Sequence, residues 1–111
     1  MKISEHDNYI VLEDDRNNLE DFASFLEYIV PKKNEGQNVV VDLSKYPDLS
    51  LDQLLLFLTV SNSHRKSGQS FVLVTDVLSP DDLPDELAVV PTIHEAEDFI
   101  GMEDMERGLG F

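Results

Sequence analysis

The run Asn38-Val39-Val40-Val41-Asp42-Leu43 decides how this chain is read. It is apolar without alternation, too short for a helix, and bounded by the polar, Gly-containing stretch Lys32 to Gln37 and the Pro-containing stretch Ser44 to Leu49. Such a run marks a strand covered on both faces. Phe71-Val72-Leu73-Val74 has the same character. Strands of this kind need helices above and below them, which points to an α/β fold built on a largely parallel sheet.

Between the two runs, Ser50-Leu51-Asp52-Gln53 has the Ser-x-x-Gln form of a capping box and predicts a helix from Leu51 to about Lys66, stopped by Gly68. Upstream, Tyr9-Ile10-Val11-Leu12 is a strand, with Lys2 to Glu5 short and ambiguous before it. Asn17-Asn18 offers an N-cap to a helix in which Leu19, Phe22, Phe25, Leu26 and Ile29 recur at helical spacing, and Pro31 is expected to close it. Downstream, Ser79 to Leu87 is a turn or one short helix broken by prolines, and Ala88-Val89-Val90 is a last strand. Thr92-Ile93-His94-Glu95 repeats the capping-box pattern before a helix that buries Ile93, Ala96, Phe99 and Ile100 and runs to about Arg107. The expectation is one domain over residues 1–111, with a central mixed, mostly parallel sheet and about four helices.

The chain has 111 residues, no cysteine, and 23 Asp+Glu against 8 Lys+Arg, a formal charge of −15. Disulfides and thiolate metal sites are excluded by composition. A charge of this sign repels phosphate backbones and anionic lipid, so neither nucleic acid nor membrane is expected as a partner. With no basic segment leading into an apolar run at the start, a cytoplasmic location is expected. The charge is uneven: from Asp76 to Glu106 there are only acidic charges, whereas Lys32, Lys33, Lys45, Arg65 and Lys66 lie in the middle third.

Little in the sequence carries chemistry. His6, His64 and His94 lie far apart and lack zinc-site spacing, and no phosphate-cradling glycine loop is present. Three of the five glycines punctuate the tail from Gly101 to Gly110. His64-Arg65-Lys66 at a helix end is explained by cations facing terminal carbonyls. Neither Glu13-Asp14-Asp15 nor Asp81-Asp82 has calcium-loop spacing. No cofactor is expected, and the chain reads as a non-enzyme.

The helix from Leu51 carries two apolar stripes. Leu51, Leu54, Leu55 and Leu58 form the face expected to pack on the sheet, and Leu56, Phe57 and Val60 form a second stripe almost opposite. That second stripe is either core beneath a neighbouring helix or a surface for a partner.

Taken together, the element order, the stretch Val39-Val40-Val41-Asp42-Leu43-Ser44 through Leu54, and Lys66-Ser67-Gly68-Gln69-Ser70-Phe71-Val72-Leu73-Val74 resemble the STAS domain, the fold of the anti-sigma-factor antagonists. Glu95-Ala96 resembles that family's closing helix, so the likeness covers nearly the whole chain. It implies a regulatory protein-interaction module that docks an anti-sigma factor, a kinase-like protein or an enzyme through the loop 44–50 and the helix starting at Leu51. The partner-binding residues so implied are Ser44, Asp48, Ser50, Leu51, Gln53, Leu56, Phe57 and Val60. In phosphoswitching members of the family a serine just inside the helix start is phosphorylated; here Leu51 occupies that position, and Ser50, one residue early, is the remaining candidate for phosphorylation as well as an N-cap. The chain is thus an atypical member by pattern, lacking the phosphoserine motif. A homodimer is a further reading of the apolar stripe.

Two alternatives stand beside this. Glu13-Asp14-Asp15, Asp42 and Thr75 imitate the acidic pocket and switch threonine of a response-regulator receiver, but Asp15 to Asp42 has room for only one helix, and no lysine follows Val90-Pro91. The domain would therefore be a degenerate receiver. An accessory protein associated with a ribonuclease Z-type enzyme is the other; the histidine motif of that hydrolase family is absent, so the chain would accompany the chemistry without performing it.

Overall fold

In the computed structural model, which describes residues 1–108, one five-stranded sheet has strand order β1-β2-β3-β4-β5. The strands are β1 (Lys2–Glu5), β2 (Ile10–Glu13), β3 (Val39–Asp42), β4 (Phe71–Val74) and β5 (Ala88–Val90). β1 runs antiparallel to β2, and the remaining neighbours are parallel, with Val39, Val40 and Val41 beside Phe71, Val72 and Leu73. The helices are α1 (Leu19–Lys33), α2 (Leu51–Leu55), α3 (Leu58–Lys66) and α4 (Ile93–Gly108), with a 3-10 turn at Pro80–Asp82. The mixed α/β architecture expected from the sequence is present. Gly110, in the expected tail, and the end of the expected domain lie outside the described residues.

Because the parallel strands follow one another in sequence order, right-handed crossovers put every connection on the same side of the sheet. α1, α2 and α3 accordingly share one core with Leu12, Val39, Val41, Leu43, Phe71 and Leu73. α4, which follows the last strand, covers the other face, where Ala96 and Ile100 meet Val11, Val40, Val72 and Val74. The valine run is buried on both sides because it lies mid-sheet between these layers.

Three local expectations need correcting. Pro31 lies inside α1, which continues to Lys33: proline removes only its own N–H, and Asn34 N–H still reaches the Val30 carbonyl at 2.9 Å to cap the end. The helix expected from Leu51 to Lys66 is broken. Leu56 and Phe57 N–H groups reach back three residues, to Gln53 at 3.2 Å and Leu54 at 3.1 Å, and Phe57 sits at φ −92°, ψ 0°. This 3-10-like tightening aligns residues three apart, so Leu54, Phe57 and Val60 all turn into the core. Leu55, expected on the sheet-facing side, is left exposed.

The third correction concerns His64, expected to act as a terminal cation. It is buried, donates from Nε2 to the Gln37 carbonyl at 2.6 Å, and packs edge-on against Phe71. Burial lowers its pKa, only partly offset by the Gln37 hydrogen bond, so the ring is held neutral. Gly68 ends α3 as expected, at φ +94°, a conformation that side-chain-bearing residues seldom adopt.

Opposite the carboxyl ends of the strands, a polar cluster fastens the end of α4. Asn38, nearly buried, donates to the Asn8 carbonyl at 3.0 Å and to Asp104 at 3.1 Å, and accepts from the Ser70 N–H at 2.8 Å and from Arg107 at 3.2 Å. Ser70 Oγ donates to Glu103 at 2.6 Å, and Arg65 meets the same carboxylate at 3.4 Å. Burial pushes the Asp104 carboxyl up, but Arg107, Asn38 and Asn8 together bring it below the usual carboxylate range.

A candidate docking surface at the carboxyl rim

The rim beyond the carboxyl ends of β3 and β4 is where loops of a parallel sheet gather, and it holds the segment singled out in the sequence. At the end of β3, Asp42 Oδ1 accepts the Ser44 N–H at 2.9 Å, turning the chain off the sheet. Tyr46 N–H then bonds the Leu43 carbonyl at 3.1 Å. Leu43, Leu49 and Leu54 are buried and pin the loop from below at three points. Between them Ser44, Lys45, Pro47, Asp48, Ser50, Asp52 and Gln53 face solvent.

The start of α2 is fixed by the expected capping box. Ser50 Oγ accepts the Gln53 N–H at 3.2 Å, and Gln53 Oε1 accepts the Ser50 N–H at 2.9 Å. This satisfies two backbone donors reciprocally, so five residues hold a helical turn that would not form alone. One further tie comes from β2. Asp14, buried at its end, accepts the Arg16 N–H at 2.9 Å, the Asn18 N–H at 3.0 Å and the Tyr46 hydroxyl, while Lys45 donates to its carbonyl.

The electrostatics follow from these partners. Burial pushes the Asp14 carboxyl up, but the Tyr46 hydroxyl, the two N–H groups and the Lys45 ammonium outweigh it and bring the pKa below the usual carboxylate range. Burial first, and then the hydrogen bond to Asp14, push the Tyr46 hydroxyl up. Asp14 is thus a fixed anion committed to holding the loop. Among the described residues no group of three or more His, Asp or Glu side chains is placed to hold a metal ion.

The implied binding residues separate into three sets. Ser44, Asp48, Ser50 and Gln53 are exposed and lie together on the anchored loop and helix start. Leu51 and Leu56 are half-buried against the core. Phe57 and Val60, 0% and 2% exposed, are core residues and offer nothing to a partner in this state. Of the two readings of the second stripe, the structure therefore takes core for these residues. The residue that sequence periodicity missed is Leu55, 37% exposed at the end of α2, three residues after the exposed Asp52. Only the break at Leu56-Phe57 releases it, and the leucine-rich pattern carries no signal for that break.

Comparison with known proteins places the fold and nothing finer. No family model matches the chain, and no curated protein matches it. Among solved structures, the NMR structure of the protein TM1081 is similar, with a TM-score of 0.64 at 22% identity over 88% of this chain and 86% of that one. At that identity the likeness establishes a shared α/β architecture, and no helix among the described residues is long and apolar enough to cross a membrane.

Proposed function

We propose that this chain is a non-enzymatic, cytoplasmic, STAS-like interaction module that docks a protein partner on the rim formed by loop 44–50 and the start of α2. The observation that carries this reading is the contrast within one short segment. Leu43, Leu49 and Leu54 are buried and Tyr46 is tied to Asp14, yet Ser44, Asp48, Ser50, Gln53 and Leu55 are exposed above them. A polar surface with one exposed leucine, held rigid from below, loses little conformational entropy when a partner arrives.

The family resemblance supports a regulatory role like that of an anti-sigma-factor antagonist, the partner being an anti-sigma factor, a kinase-like protein or an enzyme, ribonuclease Z-type enzymes included. With Leu51 at the usual acceptor position, docking here proceeds without the phosphoserine cycle. The test is affinity capture of the tagged chain from its native cells, repeated with Leu55→Asp and Gln53→Arg. A specific partner lost with both variants supports the rim. A partner retained by both, with the fold intact, overturns it.

A further inference from the structure

We infer that the open edge of β1 is a self-association surface, joining two copies of this chain by antiparallel β1–β1 pairing into one continuous sheet. β1 is at the end of the strand order and pairs only with β2, so one side of its backbone is unpaired. The phase of that pairing fixes which groups face outward. His6 N–H bonds the Tyr9 carbonyl at 2.9 Å, closing the hairpin at a hydrogen-bonded pair. Alternation then points the backbone groups of Ser4 and Lys2 toward β2 and those of Glu5 and Ile3 toward the open edge.

Exposed apolar side chains stand beside this edge. Ile3, opposite Leu12, points to the α1 side of the sheet and is 57% exposed. One cavity, of about 370 Å³, is lined by Met1 together with Phe22 and Phe25, which places that flank of α1 next to β1. The opposite flank, at Val30 and Pro31, lines a separate cavity with Val60 and His64 of α3. Phe25, 44% exposed, therefore stands on the β1 side of the helix layer, and Tyr28, 58% exposed, follows it three residues along α1 with Lys32 over its ring.

Charge argues for a second copy as the occupant. A chain of −15 repels itself over most of its surface, but along this side the Met1 ammonium, Lys2, Arg16 and Lys32 offset most of the charge of Glu5, Glu13, Asp14, Asp15 and Asp21. A two-fold axis normal to the sheet keeps both α1 helices on the same face, and it requires a residue to sit opposite itself. Centring on Ile3 gives an apolar Ile3–Ile3 pair; centring on Ser4 would set Ile3 against Glu5. The Ile3-centred register is the one that fits. The carboxyl rims of the two copies then point in opposite directions and stay free, so this inference and the docking reading fail independently.

The absence of cysteine makes the test specific. In the Ile3-centred register the two Ile3 Cα atoms lie about 5.5 Å apart, within disulfide range. Mild oxidation of Ile3→Cys is expected to give a cross-linked dimer, and Ser4→Cys is not. By sedimentation equilibrium at high micromolar concentration, the wild type is expected at twice its 12.6 kDa mass. Ile3→Pro removes only an outward N–H and is expected to shift the mass to that of the monomer with the circular dichroism unchanged, as is Phe25→Asp. A monomeric wild type, a dimer that survives both Ile3→Pro and Phe25→Asp, or Ser4→Cys cross-linking as readily as Ile3→Cys overturns the proposal.

Discussion

Ser50 and Gln53 cap α2 on one another, side chain to backbone in both directions, at 3.2 and 2.9 Å. This reciprocal pair sets where the exposed rim begins. Ser50→Ala is expected to cost about 1 kcal/mol by removing the N-cap acceptor. Ser50→Asp keeps an acceptor and places a negative charge at a helix N-terminus, so it should unfold close to the wild type. Thermal unfolding of the two variants checks this directly; equal losses in both would mean that the cap contributes nothing.

Burial separates two aromatic or aliphatic positions from a third only two residues away. Phe57→Asp and Val60→Asp place an unpaired carboxylate in the core and should each cost about 3–5 kcal/mol, a large share of the roughly 5–15 kcal/mol that holds a domain of this size. Leu55→Asp, at a 37% exposed position, should leave the denaturant midpoint nearly unchanged. Denaturation curves that ranked Leu55→Asp with the other two would show the helix to be continuous.

The Asp14–Tyr46 contact predicts an acid sensitivity. Asp14 has its folded pKa below the unfolded carboxylate value, so its contribution is complete above about pH 4 and is lost as pH falls through the lower folded value. Asp104 acts in the same direction. Asp14→Asn should flatten the fall in stability below about pH 4, and Tyr46→Phe should cost about 1–3 kcal/mol at neutral pH by depriving a buried carboxylate of a donor. An unchanged acid limb in Asp14→Asn would contradict the assignment.

His64 titrates in a different window. Its folded pKa is lowered by burial, so below the unfolded value of about 6.5 the unfolded chain takes up a proton that the folded one resists. Stability should be full above that value and decline as pH falls below it, a slope absent in His64→Gln. Urea midpoints measured between pH 7 and 5 provide the comparison.

At the far end of the sheet, Asn38→Ala would leave the buried Ser70 N–H without its acceptor and loosen the end of α4. A loss of about 2–3 kcal/mol is expected, with amide exchange rising first in residues near Asp104 and Arg107. Uniform exchange across α4 would show that the cluster does not act as its fastener.

What the sequence discloses and what it hides follow one physical division. β3 and β4 are legible because a fully apolar run bounded by loop residues has few other solutions, and the box at Ser50 is legible because cap chemistry is local. The break after Leu55 is not, since leucines at positions 54, 55, 56 and 58 satisfy a helix in more than one phase, and packing on β3 and β4 selects among them. Nor are the partners of Asn38 and His64, which lie 27 to 69 residues away in sequence. The exposed part of the docking segment was therefore readable at Ser44, Asp48, Ser50 and Gln53, while Leu55 against Phe57 and Val60 required the fold.

The proposed docking of a protein on the rim of loop 44–50 and α2 is open to a direct measurement. Quantitative affinity capture from native cells, with wild type, Leu55→Asp and the opposite-side variant Phe25→Asp run in parallel, tests it most directly. A partner is expected to be held by the wild type and by Phe25→Asp and lost from Leu55→Asp. A partner held equally by all three, or lost only with Phe25→Asp, would contradict it.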